Sequence, residues 1–246
     1  MADEAKRIAA EKDGSSSGNN AFQIAEAYRT IRTNLLFTLA NTDNRVVVFS
    51  SAEPGAGKST LSANMAIVMA QTGAKVLLID ADMRKPRQHR NFRCARTEGL
   101  SKVLGGISTL ADSIQRQLMP NLDLLPAGPI PPNPSELLGS QRMNAMLEEL
   151  KGQYDYIFID TPPMTVVTDA LLLLPQTAGA VLVARQRQTA YDELKEVVES
   201  IKQIEATLLG VVLADVQRNG TTYYKKEKYR YYRSYGYEYV SHENEG

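Results

Sequence analysis

The sequence predicts an α/β fold, a mainly parallel central sheet flanked by helices, and three observations carry the prediction. Apolar runs without alternation recur at 45–50, 75–80, 156–160 and 180–184, the pattern of strands covered on both faces. Stretches with apolar residues three and four apart separate several of these runs, so successive strands need helical crossovers and pair in parallel. Glycine-rich and acidic segments follow the runs, at the strand ends where ligands sit in sheets of this kind.

Taken in order, residues 1–20 are small and polar and end in Gly14-Ser15-Ser16-Ser17-Gly18-Asn19-Asn20, which reads as a flexible arm. Ile24, Tyr28, Ile31, Leu35 and Leu39 recur at helical spacing and predict an amphipathic helix. The run 45–50 predicts a buried strand, and a glycine-rich turn at 53–57 leads into a helical stretch over 58–72, closed by Gly73 as a C-cap. Further strands are expected at 75–80, 121–125, 156–160, 180–184 and 209–213, with Leu194, Val197, Val198, Ile201 and Ile204 marking a helix before the last. Residues 21–216 thus form one folded body. Residues 217–246 hold eight of the twelve tyrosines and almost no aliphatic side chains. Such a segment buries too little apolar area to offset its ordering entropy, and it is read as a mobile tail.

Composition excludes several classes. The 246 residues carry 28 Lys plus Arg against 28 Asp plus Glu, so net charge points to neither nucleic acid nor an acidic substrate. One cysteine rules out an internal disulfide framework and suits a reducing cytoplasm, and with two histidines it leaves little for a zinc site. No apolar stretch approaches the ~20 residues that span a bilayer, and the N-terminal segment has no apolar signal core.

The strongest motif is Ser51-Ala-Glu-Pro-Gly-Ala-Gly-Lys-Ser-Thr60, which leaves a predicted strand and enters a predicted helix. That is the context of a P-loop, and it makes the expected fold class a P-loop NTPase. Gly55 and Gly57 let the backbone turn tightly, so that Pro54, Gly55, Ala56, Gly57, Lys58, Ser59 and Thr60 present N–H groups and a helix N-terminus to an anion. Lys58 is placed to reach β and γ phosphates and the Ser59 hydroxyl to bind Mg²⁺. Ala52 stands where the common pattern has its first glycine.

Acids reinforce this reading. Asp160 ends Tyr-Ile-Phe-Ile and precedes Thr161-Pro162-Pro163, the Walker B arrangement that holds a Mg²⁺ shell. Asp80-Ala81-Asp82-Met83-Arg84 follows Val-Leu-Leu-Ile. Asp80 and Asp82 point the same way if the strand continues through them. One then serves the metal while the other accepts a proton from an attacking hydroxyl, and Arg84 binds phosphate or neutralises developing charge.

Together these residues resemble the bacterial tyrosine kinases that regulate capsule and exopolysaccharide synthesis and export, over roughly residues 22–240. The resemblance rests on Ala52 to Ser59, on Leu77 to Arg84, on Ile157 to Asp160, and on Glu26, Arg29 and Arg32 in a Glu-x-x-Arg-x-x-Arg motif. Pro131 to Leu138 and the tyrosine cluster complete it. Partition and division-site ATPases of the same P-loop branch carry a signature lysine five positions before the P-loop lysine. Here that position is Glu53.

The resemblance implies an ATP- and Mg²⁺-dependent protein-tyrosine kinase of the stand-alone form. A separate transmembrane activator of the polysaccharide co-polymerase type would recruit it from the cytoplasm to the inner face of the membrane. A ring-like homo-oligomer with Glu26, Arg29 and Arg32 at subunit contacts, a cognate tyrosine phosphatase, other cytoplasmic protein substrates and no nucleic acid are also implied. ATP follows from the resemblance alone. Relatives often carry Asn after the strand matching 210–213, where this chain has Ala214-Asp215, and Asp215 could read a base edge.

The expected phosphoacceptors are Tyr223, Tyr224, Tyr229, Tyr231, Tyr232, Tyr235, Tyr237 and Tyr239. Between Tyr223 and Tyr235, five basic residues stand against Glu227 alone, a local charge of +4 that an acidic nucleotide-loaded cleft attracts. Each phosphate adds about −1.5 to −2 and reverses that attraction. A switch ATPase that leaves the tail unmodified and a non-catalytic scaffold are the competing readings. Tyr28, Tyr154, Tyr156 and Tyr191 read as core or boundary residues, and Asp169 as support behind the acid site.

Overall fold

The computed structural model describes residues 17–216. The segments 1–16 and 217–246, the latter with the eight C-terminal tyrosines, lie outside the described residues.

A first helix, α1 (Ser17–Thr38), precedes strand β1 (Val46–Ser51). Then come α2 (Lys58–Ala70), β2 (Val76–Asp80) and the short helices α3 (Gln88–Asn91), α4 (Leu100–Leu104) and α5 (Leu110–Ser113). The chain continues through β3 (Gln115–Met119), β4 (Leu122–Leu125), α6 (Pro134–Leu138), α7 (Gln141–Lys151) and β5 (Tyr156–Asp160). It ends with α8 (Asp169–Leu173), a 3₁₀ turn, β6 (Gly179–Arg185), α9 (Tyr191–Gln203) and β7 (Leu208–Ala214).

The seven strands form one sheet in the order β3-β4-β2-β5-β1-β6-β7, parallel except for β3 against β4. Each buried strand sends alternate residues to opposite faces, and both faces are apolar. Val46, Val48, Leu77, Ile79, Ile157, Ile159 and Leu182 join one core with residues of α4, α7, α8 and α9. Val47, Phe49, Leu78, Phe158 and Val183 join a second core with α1 and α2. This is why the strand sequences read as continuous apolar runs.

Several expectations need correction. α1 begins at Ser17, inside the segment read as an arm, because a polar turn can extend a helix that tertiary packing already stabilises further on. Ile24 is 38% exposed, so the packed face of α1 runs through Tyr28, Ile31, Leu35 and Leu36, with Leu39 just past its end. Tyr191 is 78% exposed at the first position of α9 and is neither core nor boundary. β3 and five helices of four or five residues carry no period long enough to predict.

Candidate active site

Register brings the acids together. Asp80 and Asp160 are paired residues at the carboxyl ends of adjacent parallel strands β2 and β5, and Phe49 near the end of β1 pairs with Asp160. The turn leaving β1 therefore sits beside both carboxylates. Gly55 (φ +86°) and Gly57 (φ +103°) hold left-handed backbone, and Gly57 caps α2, whose first residue is Lys58. No side chain caps that helix start, so its N–H groups face the turn. A Cβ on Gly57 would meet nothing within 4 Å, so its requirement is conformational; of the other predicted cradle residues, Ala56 packs into the core, whereas Pro54, Gly55 and Thr60 are exposed.

The segment after β6 braces this turn. Gln188 donates to the Pro54 carbonyl (3.2 Å), Arg185 Nη1 to the Gly55 carbonyl (3.3 Å), and Thr189 Oγ1 to Glu53 Oε1. From the other side Thr165 Oγ1 donates to the Ala52 carbonyl (2.6 Å).

Lys58 Nζ lies 2.9 Å from Asp82 Oδ2, 3.7 Å from Asp160 Oδ1 and 3.3 Å from Ser59 Oγ. Burial pulls the lysine pKa down, but Asp160, Asp82 with its hydrogen bond, and Asp80 outweigh it, and the net shift is upward. Asp160 is fully buried; burial raises its pKa, and the Lys58 charge opposes that rise. Asp80 is also fully buried and is pushed up to about 8, by burial first and then by the Asp160 charge. Its Oδ2 accepts from the backbone N–H of Arg87 (3.1 Å) and Gln88 (2.9 Å).

Asp80 and Asp82 do not share a direction through strand continuation, because β2 ends at Asp80. Asp80 turns to the 87–88 backbone, while Asp82 sits at the end of Lys58 and accepts from Lys85 N–H (2.9 Å). Arg84 is committed elsewhere: its Nε and Nη2 donate to the two oxygens of Asp169 (2.9 and 3.0 Å), and Nη2 also reaches Ser135 Oγ (2.9 Å). Ser135 donates to the same Asp169 (2.7 Å), so β2's exit loop, α6 and α8 are tied at one point. Glu26 and Arg29 pair with each other on α1, whereas Arg32 donates to the Val68 carbonyl of α2 (2.8 Å). Arg32 is thus engaged within the chain, apart from the Glu26–Arg29 pair.

One site residue carries no sequence signal. Gln88 is fully buried, and its Nε2 lies 2.7 Å from Asp160 Oδ2, 3.0 Å from the Ser59 carbonyl and 3.1 Å from Ser62 Oγ. It belongs to no motif, and only the fold brings it to residues 26, 29 and 72 positions away.

The site fits a hard divalent cation beside a polyphosphate. Asp80 Oδ1 and Asp160 Oδ1 are buried oxygens without a hydrogen-bond partner, and Ser59 Oγ at the helix start shares the Lys58 ammonium with Asp160. Among the described residues no group of three His, Cys, Asp or Glu forms a protein-only metal cage. Magnesium sites of the nucleotide type need only one or two protein oxygens, the rest coming from phosphates and water. A cavity of about 420 Å³, lined by Asp43, Arg45, Lys151, Tyr154 and Asp155, opens at the amino ends of β1 and β5, away from this chemistry.

Residues 44–214 match the family described as AAA domain. Tyrosine-protein kinase YwqD of Bacillus subtilis is 41% identical over 208 residues, which cover 85% of this chain and 86% of that protein. Tyrosine-protein kinase wzc of Salmonella typhimurium is 37% identical over 91% of this chain, but the match spans 30% of its own length. The solved kinase domain of Escherichia coli tyrosine kinase ETK superposes with a TM-score of 0.77 at 35% identity, covering 80% of this chain and 78% of that one.

Proposed function

The chain belongs to the bacterial tyrosine-protein kinases of capsule and exopolysaccharide synthesis, and from that premise we propose that it phosphorylates the C-terminal tyrosine cluster of a neighbouring copy of itself. It is a P-loop enzyme that uses ATP to phosphorylate tyrosine. The observation that supports phosphoryl transfer at this site is the convergence of Lys58, Asp82 and Asp160 at the mouth of a left-handed glycine turn.

In this reading the turn 54–60 binds the phosphates through N–H groups and Lys58, and Ser59 and Asp160, with Asp80 behind them, hold Mg²⁺. A bound Mg²⁺ would offset negative charge on the phosphate oxygens. Asp82 is the better placed of the two acids to meet the phenol. Asp80 is closed off by the Arg87 and Gln88 N–H groups, whereas Asp82 is 4% exposed and reaches the lysine tip. The phenol oxygen bonds to the γ-phosphorus as the bond to the β–γ bridging oxygen breaks. ADP takes the electron pair and Asp82 the phenolic proton. Free phenol has a pKa near ~10, so the carboxylate assists only as the new bond forms. Positioning and charge stabilisation supply most of the acceleration. Arg84, latched to Asp169, supports the loop carrying Asp82 instead of touching phosphate.

The partners follow from chemistry and kinship. Glu26 and Arg29, exposed on α1, contact a neighbouring subunit in a ring. A membrane protein of the polysaccharide co-polymerase type activates the kinase and brings it to the inner face of the membrane, and a cognate phosphatase reverses the modification. The match covers 86% of YwqD and 30% of wzc. No helix among the described residues is long and apolar enough to cross a membrane.

Intact-mass measurement after incubation with ATP and Mg²⁺, with and without an activator peptide, tests the proposal. Phosphate is expected within residues 223–239, and Lys58→Met reduces its incorporation at least 100-fold. Release of inorganic phosphate with no gain in protein mass would instead indicate a switch ATPase.

A further inference from the structure

We infer that Gln88 is a positioning residue that sets which oxygen of Asp160 faces the cation site, and that it thereby tunes the affinity of that site for a divalent ion. The inference deepens the reading above and rests on it.

Gln88 bridges both strand-end acids. Its backbone N–H donates to Asp80 Oδ2 (2.9 Å), and its side-chain amide donates to Asp160 Oδ2 (2.7 Å). The same Nε2 also faces the Ser59 carbonyl and Ser62 Oγ. A backbone carbonyl only accepts, and the Ser62 hydroxyl already points its proton at the Ser59 carbonyl (3.2 Å). The amide nitrogen is therefore fixed on this side by its surroundings. On the other side, Asn91 Nδ2 donates to Gln88 Oε1 (3.0 Å), which completes the amide's hydrogen bonding and locks its plane.

The consequence falls on Asp160. With Oδ2 held by Gln88, the free oxygen is Oδ1, which has no hydrogen-bond partner and lies 3.7 Å from Lys58. The same amide grips the Ser59 carbonyl at the start of α2, so carboxylate and P-loop hydroxyl are referenced to one rigid group. Replacing the amide by an apolar group of equal length leaves Asp160 free to rotate in a buried site. Part of each cation-binding event is then spent on ordering it.

The test uses the full chain with Gln88→Met, which keeps side-chain length and removes the donor. Fluorescent ADP binding is titrated with Mg²⁺, and ATP turnover is measured at saturating Mg²⁺. The Mg²⁺ concentration for half-maximal binding is expected to rise about 10-fold. ADP affinity without Mg²⁺ should stay within about twofold, and kcat should fall while KM for ATP moves little. Asn91→Ala, which removes the partner of Oε1, should raise the Mg²⁺ midpoint about threefold and decides the matter if Gln88→Met does not fold. Mg²⁺ midpoints within twofold of the parent, whatever the change in melting temperature, would reduce Gln88 to a packing residue. A parent chain whose ADP binding ignores Mg²⁺ would overturn the cation reading itself.

Discussion

At the scale of single residues, the site is an arrangement of charges held under tension. Three carboxylates and one ammonium converge at the ends of two paired strands, and their states depend on one another. Asp80 gives this a measurable form. Its pKa lies near 8 in the folded chain against about 4 unfolded. The native state therefore holds a proton that the unfolded chain has released. The stability associated with that proton is fully present below about pH 4 and is lost as pH rises toward 8. Asp80→Asn keeps an oxygen for the Arg87 and Gln88 N–H groups and removes the titration. The variant should gain stability relative to the parent as pH goes from 5 to 8, measured by urea denaturation at several pH values. A constant difference across that window would show that Asp80 does not titrate there. That Lys58, Ser59, Asp80, Asp82 and Asp160 lie together was legible, because a glycine-rich strand-to-helix turn and acids ending apolar runs are local patterns. Gln88 and the Arg84–Asp169 latch were not. Their partners lie up to 85 positions away, and nothing in a single sequence marks which buried amide or carboxylate will meet them.

At the scale of elements, the sheet explains both what the sequence disclosed and what it hid. Its central strands are covered on both faces, so they advertise themselves as apolar runs, and all six predicted strands are present. β3 was missed because it is a polar antiparallel edge strand that buries little. Short helices such as α4 and α5 escape periodicity altogether, since one turn shows no repeat. Burial should order the energetic cost of truncation in the same way. Phe158 is fully buried at the sheet centre and packs edge-on against Phe49 at 5.2 Å. Phe158→Ala should cost about 3–5 kcal/mol. Val211 is 46% exposed on the edge strand β7. Val211→Ala should cost under ~1 kcal/mol. Chemical denaturation measures both, and equal losses would mean that the two-faced core is not what holds the sheet together.

At the scale of the whole molecule, the proposed function joins the folded body to the segment that carries the phenols. In the proposed function, the local charge of +4 read from the sequence between Tyr223 and Tyr235 would favour an acidic site and would be reversed by added phosphates. Transfer between copies is the central claim, and a mixing experiment addresses it most directly. One partner carries Lys58→Met with its tyrosines intact, and the other carries an intact site with Phe at positions 223, 224, 229, 231, 232, 235, 237 and 239. Intact-mass spectrometry after adding ATP and Mg²⁺ distinguishes the two chains. The account predicts phosphate on the Lys58→Met chain only when its partner is present. No phosphate on that chain, while the same concentration of parent chain labels its own tail, would contradict transfer between copies.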